Sequence, residues 1–141
     1  MTTEVTVGSG TTINISWVQG LPGPAGTGTV FYATGDQAIG GHRVVRATTT
    51  GVDYADQSVE SHQGKVVGIT ASAFAAGELV KVYTAGEVIE STWTWTPGPV
   101  YLGTNGLLTQ TVPTSGFIQQ VGVAHEPTKL VVQLLSSIKL G

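Results

Sequence analysis

The chain has 141 residues, no cysteine, a net charge of −3 and only 11% charged residues, against roughly 25% in ordinary soluble domains. Its six basic residues, Arg43, Arg46, Lys65, Lys81, Lys129 and Lys139, are scattered and form no phosphate-neutralising stripe, which argues against a nucleic-acid partner. No apolar run approaches the eighteen or so residues of a membrane span, so no membrane partner is expected, and the N-terminus lacks the pattern of a signal peptide.

Thr occurs 21 times and Gly 20 times. Thr and Val favour a pleated backbone and Gly turns it, so the composition predicts an all-β protein with very little helix. The length fits one domain with an appendage. Without a secretory signal the chain is expected to start near Met1 and to be made in a cytoplasm, which the absence of cysteine fits.

Residues 1–19 carry one charged side chain, Glu4, and place Val5, Val7, Ile13, Ile15 and Trp17 between Thr, Ser and Asn. That period of two predicts a strand pair broken at Gly8-Ser-Gly10. A lone hairpin with an apolar face is marginal in water and must find another surface. The segment is therefore either an added strand of the main domain or an anchor.

Residues 20–28 read Gly20-Leu-Pro22, Gly23-Pro24-Ala, Gly26-Thr-Gly. Glycine at every third position is the requirement of the collagen axis, where three polyproline II chains leave room for no side chain. Three triplets cannot hold a triple helix alone, so residue types leave two readings open: a semi-rigid Pro/Gly linker or a short trimeric neck. Either way the stretch divides an arm, 1–19, from a β domain, 29–141.

Within that domain, strands are predicted at 30–34, 43–48, 65–70, 79–83, 87–92, 100–103, 116–124 and 129–135 from apolar patterning with Gly or Pro punctuation. Residues 71–77 read as an apolar loop or one helical turn. Units at about 44–83 and 99–135 match each other at an offset of about fifty residues: Gly51 with Gly106, Gly68 with Gly122, the Val80 region with Val131. Each reads as strand, tight Gly turn, strand, loop and two more strands, with Asn105-Gly106 the strongest hairpin signal. Two such units, each with a face to bury, are expected to pack as a small barrel or sandwich. Trp93 and Trp95, two apart in the stretch between the units, should share one face and plug the joint.

Chemistry is sparse. His42, His62 and His125 are not at metal-ligand spacing, and no nucleophile elbow, phosphate loop or zinc signature is present. Asp53 and Asp56 flank Tyr54 as a calcium or sugar loop could, but Leu108 and Thr111 stand in their place in the second unit, so solvated loop charge is the better reading. No catalytic residue, cofactor site or metal site is assigned, and an enzyme is not expected.

Several stretches taken together resemble one family. The uncharged β-rich arm, the Gly-Pro-Ala-Gly neck, Gly41-His-Arg-Val-Val, Ala76-Gly-Glu-Leu-Val-Lys-Val, Gly86-Glu-Val-Ile-Glu, Gly122-Val-Ala and above all Trp93-Thr-Trp-Thr-Pro-Gly-Pro-Val-Tyr-Leu-Gly-Thr-Asn-Gly-Leu-Leu-Thr-Gln-Thr are similar to the small accessory virion proteins of tailed bacteriophages: head-fibre, capsid decoration or cement proteins. The resemblance covers roughly residues 20–135. It implies a non-enzymatic structural protein on the outer capsid surface, made in the host cytoplasm, trimeric, with the major capsid protein as partner. In that setting Gly20, Pro22, Gly23, Pro24 and Gly26 form the trimer neck, and Val5, Val7, Ile13, Ile15 and Trp17 the capsid attachment. The alternative is a tail-fibre or adsorption module that binds host-surface glycan through aromatic loops.

Overall fold

The computed structural model describes residues 3–7, 11–15 and 29–140. Strands β1 (Thr3–Val7) and β2 (Thr11–Ile15) form a two-stranded antiparallel sheet. The remainder is all-β apart from two single 3-10 turns, Glu60–His62 and Thr104–Gly106.

Ten strands build two five-stranded antiparallel sheets. The first contains β3 (Val30–Thr34), β4 (Val44–Ala47), β5 (Val52–Tyr54), β6 (Val66–Thr70) and β7 (Leu79–Tyr83) in the spatial order β3-β7-β6-β4-β5. The second contains β8 (Ala85–Ile89), β9 (Gly98–Leu102), β10 (Leu108–Thr109), β12 (Gln120–Glu126) and β13 (Lys129–Gln133) in the order β8-β13-β12-β9-β10. β11 (Phe117–Ile118) pairs with β14 (Ile138–Lys139). Both large sheets are open, so of the two packings predicted from the sequence the barrel is ruled out: the edge strands β3 and β5 form no ladder, meeting only at the single parallel bridge of Gly35 with Val52, and β8 and β10 do not pair.

The two orders are the same order, five strands deep, and the register agrees as well. Val45 opposes Gly68 and the ladder slips between Val45 and Arg46; Val100 opposes Gly122 and the ladder slips between Val100 and Tyr101. Ile69 opposes Tyr83 as Val123 opposes Val131. The match of Gly68 with Gly122 is thus structural, and both glycines have a steric reason. A Cβ on Gly68 would run into the carbonyl oxygen of Tyr83, and one on Gly122 into that of Val131.

Two of the sequence correspondences are displaced. Thr48 N donates to Gly51 O across the first hairpin, whereas Gly103 N donates to Leu107 O across the second. Leu107, not Gly106, therefore stands where Gly51 does, because the second loop is one residue longer. Asn105 (φ 50°) and Gly106 (φ 74°) instead form the tight turn inside that loop, closed by Leu107 N donating to Thr104 O at 2.9 Å, the two left-handed residues that such a turn demands. Similarly the partner of Val131 is Tyr83 rather than Val80.

Burial shows how the sheets meet. One core draws Val44, Ala55 and Ile69 from the first unit and Val88, Val100, Leu102, Leu130 and Val132 from the second, with Phe117, Val121 and Ala124. A second core, Ile39, Val45, Val52, Val80 and Val82, belongs to the first unit alone. Val45 and Val82 line this outer core, yet their register equivalents Val100 and Leu130 line the shared one. The units therefore stack in the same sense, the underside of the second on the upper side of the first, rather than face to face about a two-fold axis.

The loops dictate that choice. In the first unit the β6–β7 connection, 71–78, folds back so that Phe74 exchanges backbone hydrogen bonds with Ile39 at 2.8 and 2.9 Å, closing the face lined by Val45, Val80 and Val82. The second unit replaces that connection with Pro127-Thr128, leaving the equivalent face open to dock. Residues 71–77 are the apolar loop of the two predicted alternatives. Trp93 and Trp95 lie against the shared core with ring centroids 5.4 Å apart, at the joint.

Gly68→Ala and Gly122→Ala are each expected to destabilise the protein by about 3 kcal/mol, the upper end of overpacking costs. Gly64→Ala, with nothing within 4 Å of its Cβ but φ 81°, should cost only about 1 kcal/mol. Urea unfolding checks the three; equal losses at all three positions would contradict the shared packing role of Gly68 and Gly122.

Candidate functional site

β1 and β2 place Val5 opposite Ile13, Thr3 opposite Ile15 and Val7 opposite Thr11. Four of the five predicted attachment residues, Val5, Val7, Ile13 and Ile15, belong to these two strands. Trp17 and the neck residues Gly20, Pro22, Gly23, Pro24 and Gly26 lie outside the described residues.

The joint between the units is built from backbone. Gly106 N donates to Ala55 O at 2.5 Å, Gln57 N to Gly103 O at 3.1 Å and Phe117 N to Gln57 O at 3.0 Å. Arg43 Nη1 donates to Asn105 O at 3.0 Å. Asp56 anchors the same corner: its carboxylate accepts from Ser58 N and Oγ and, across the joint, from Asn105 N at 3.1 Å, while Asp56 N donates to His62 Nδ1 at 3.0 Å. Asp56 resists ionisation through partial burial, but the bonds from Ser58 and Asn105 outweigh this and hold its pKa below the ordinary 3.8. Burial, with the nearby Arg46 charge, lowers that of His62 below 6.5.

Asp53 is engaged elsewhere, accepting from Gln37 Nε2 at 2.6 Å and facing Arg46 Nη2 at 3.9 Å. The two acidic residues flanking Tyr54 therefore do not converge on one cation. Asp36, which the sequence did not single out, accepts from the hydroxyls of Thr48 and Thr50 at 2.7 Å each, and these bonds lower its pKa. It closes the 48–51 turn from the side, at an open groove that also includes Arg46 and Lys65.

His42 and His125 are likewise apart. His42, held at φ 55°, meets Trp93 edge-on at 5.0 Å and faces Glu90 at 4.0 Å; His125 Nε2 lies 2.7 Å from Glu87. Among the described residues no three His, Asp or Glu side chains are grouped to hold a metal ion. Of the aromatic side chains that could offer a glycan a stacking surface, Trp93, Trp95 and Tyr83 pack against the shared core and Tyr54 lies under the Arg43 guanidinium at 5.3 Å. Tyr32 is 59% exposed.

No protein-family model matches the sequence, and no curated protein matches it. Among solved structures the fold is similar to the N base of head fiber gp8.5 of bacteriophage phi29, at a TM-score of 0.46 and 16% identity over 74% of this chain and 92% of that one.

Both Asp56 and His62 release their protons more readily folded than unfolded, so the unfolded chain binds more protons and stability rises with pH. The urea midpoint is expected to fall in two stages on acidification: below pH 6.5 through His62, then below pH 3.8 through Asp56 and Asp36. His62→Gln should flatten the first stage and Asp56→Asn reduce the second. Variants that track wild type at every pH would contradict these roles.

Proposed function

We propose that the chain is a structural protein of a tailed-bacteriophage virion: a homotrimer on the outer capsid surface whose stacked β domain is a knob and whose N-terminal ribbon attaches to the major capsid protein. The observation that carries this reading is the antiparallel pairing of β1 with β2 in an arm whose sequence alternates Val5, Val7, Ile13 and Ile15 with polar residues and is joined to the domain by Gly-X-Y triplets. A two-stranded ribbon is marginal in water unless it packs on another surface. Strand addition to a capsid subunit supplies that surface and satisfies edge backbone groups without charge, in keeping with one charged side chain in nineteen residues.

The domain's own polar groups support a structural role. Asp36, Asp53 and Asp56 hold turns and the joint between units, and Lys139 pairs with Glu60 to tie the C-terminal strand to the first unit's loop. Three-fold symmetry turns one weak attachment per chain into three linked ones, multiplying residence time through effective concentration. The sequence resemblance concentrated at 93–111 points the same way.

Removing residues 1–19 is expected to abolish binding to undecorated capsids while the domain keeps its thermal transition. Trp17→Ala should weaken attachment by about 2 kcal/mol, as loss of a buried aromatic anchor does. Co-sedimentation with capsids checks both. A truncated protein that decorates capsids at wild-type occupancy contradicts the attachment role of the arm, and one that binds only tails or host glycan contradicts the capsid location.

A further inference from the structure

The first sheet ends at β3, which pairs with β7 on one side only. Along this pair Val30 opposes Tyr83, Tyr32 opposes Lys81 and Thr34 opposes Leu79, and alternation puts all six on one face. The second unit covers that face at Tyr83 but not further along: Tyr32 is 59% and Leu79 62% exposed. Leu79 and Tyr32 sit diagonally across the two strands, within reach of each other, with the Lys81 ammonium beside them, 5.3 Å from the Tyr83 ring centroid. The result is a ledge, apolar and flanked by one cation, beside a strand that has no second ladder among the described residues, its edge being met only past its end, where Gly35 bridges to Val52. Edges of this kind are ordinarily short, charged or covered.

Chain length says what covers it. Gly26, in the last of the triplets, is four residues before Val30, and four residues span at most roughly 14 Å. If three chains meet along residues 20–28, β3 of each is the first element of the domain that the neck reaches, and it is tethered within that distance of the three-fold axis. β5 and β10 lie farther along the chain, while β8 also starts near this point, since Thr84 N donates to Thr29 O at 2.8 Å, and Ile89 on that strand serves to tell the two edges apart.

We infer that the ledge of Tyr32, Leu79 and Lys81 on β3 and β7 is the subunit contact of the β domain, and that its occupant is a second copy of this chain. The inference rests on the trimer proposed above and adds where the domains touch. Each subunit's ledge meets the neighbouring subunit around the axis, a head-to-tail contact that closes as a ring of three. The neck then needs to contribute registration rather than all of the association energy, which suits a stretch of only three triplets.

Light scattering on the full chain tests the contact. Wild type should show three times the 14.5 kDa chain mass, and Tyr32→Ser combined with Leu79→Glu should show one chain mass with the thermal transition retained, because both side chains are exposed in the single chain. Ile89→Glu, at a residue 58% exposed on the second sheet, should leave three chains together. A double variant that stays at three chains, or dissociation by Ile89→Glu instead, overturns the ledge as the contact while leaving the trimer standing. A wild-type protein of one chain mass overturns the trimer and this contact together. Should the double variant fail to fold, Leu79→Ser carries the test: a dissociation constant raised at least tenfold is expected, and an unchanged one overturns the inference.

Discussion

The fold depends on one constraint: the first five-stranded unit is apolar on both faces, and each of those faces has to be covered. Val44 and Val45, adjacent on β4, are both fully buried, and since adjacent side chains point to opposite sides of a sheet, each needs its own cover. The 71–78 connection supplies one through Phe74 and Ile39, and the second unit supplies the other. The second unit has no such connection, so its equivalent face is free to dock. Same-sense stacking follows from which loop is long.

That stacking fixes the remaining features. It brings the 103–107 loop over the end of β5, where Gly106 tucks against Ala55 and Asp56 reaches Asn105, and it sets Trp93 and Trp95 at the margin of the shared core. It also leaves the second unit's far face bare: Pro99, Val123 and Val131 are the register equivalents of Val44, Ile69 and Tyr83, yet Val131 is 39% exposed. In stacked repeats the terminal units carry the departures from the common pattern, and here the closed end is the first unit, on which the lid loop lies.

Much of the β domain is legible in the sequence. Alternation of Val, Ile and Leu located Val30–Thr34 and Leu79–Tyr83 to the residue, Gly68 and Gly122 marked the close approach of two strands, and Asn105-Gly106 marked a tight turn. The failures have physical causes. Residues 116–124 divide into β11 and β12 because Gln119 is buried and its side chain bonds to the Leu135 carbonyl, an interaction between segments that no local pattern carries. Gly106 was matched to Gly51 because a one-residue difference in loop length is invisible without the ladder hydrogen bonds. β14 is two residues long, too short for any periodicity. Barrel and sandwich share one alternation pattern, so only edge pairing separates them. Asp36 carries no local signal because its partners, Thr48 and Thr50, lie 12 and 14 residues away in another turn.

The two units are one cooperative structure, the first leaving one face bare and the second having no core without the other. Native-state hydrogen exchange measures this directly at the paired positions Gly68–Thr70 on β6 and Gly122–Ala124 on β12. Amides on both strands are expected to exchange only through global unfolding, with the same free energy and the same dependence on denaturant. Amides of one strand exchanging at a free energy several kcal/mol below those of the other would contradict it, and would make the units separate domains that merely touch.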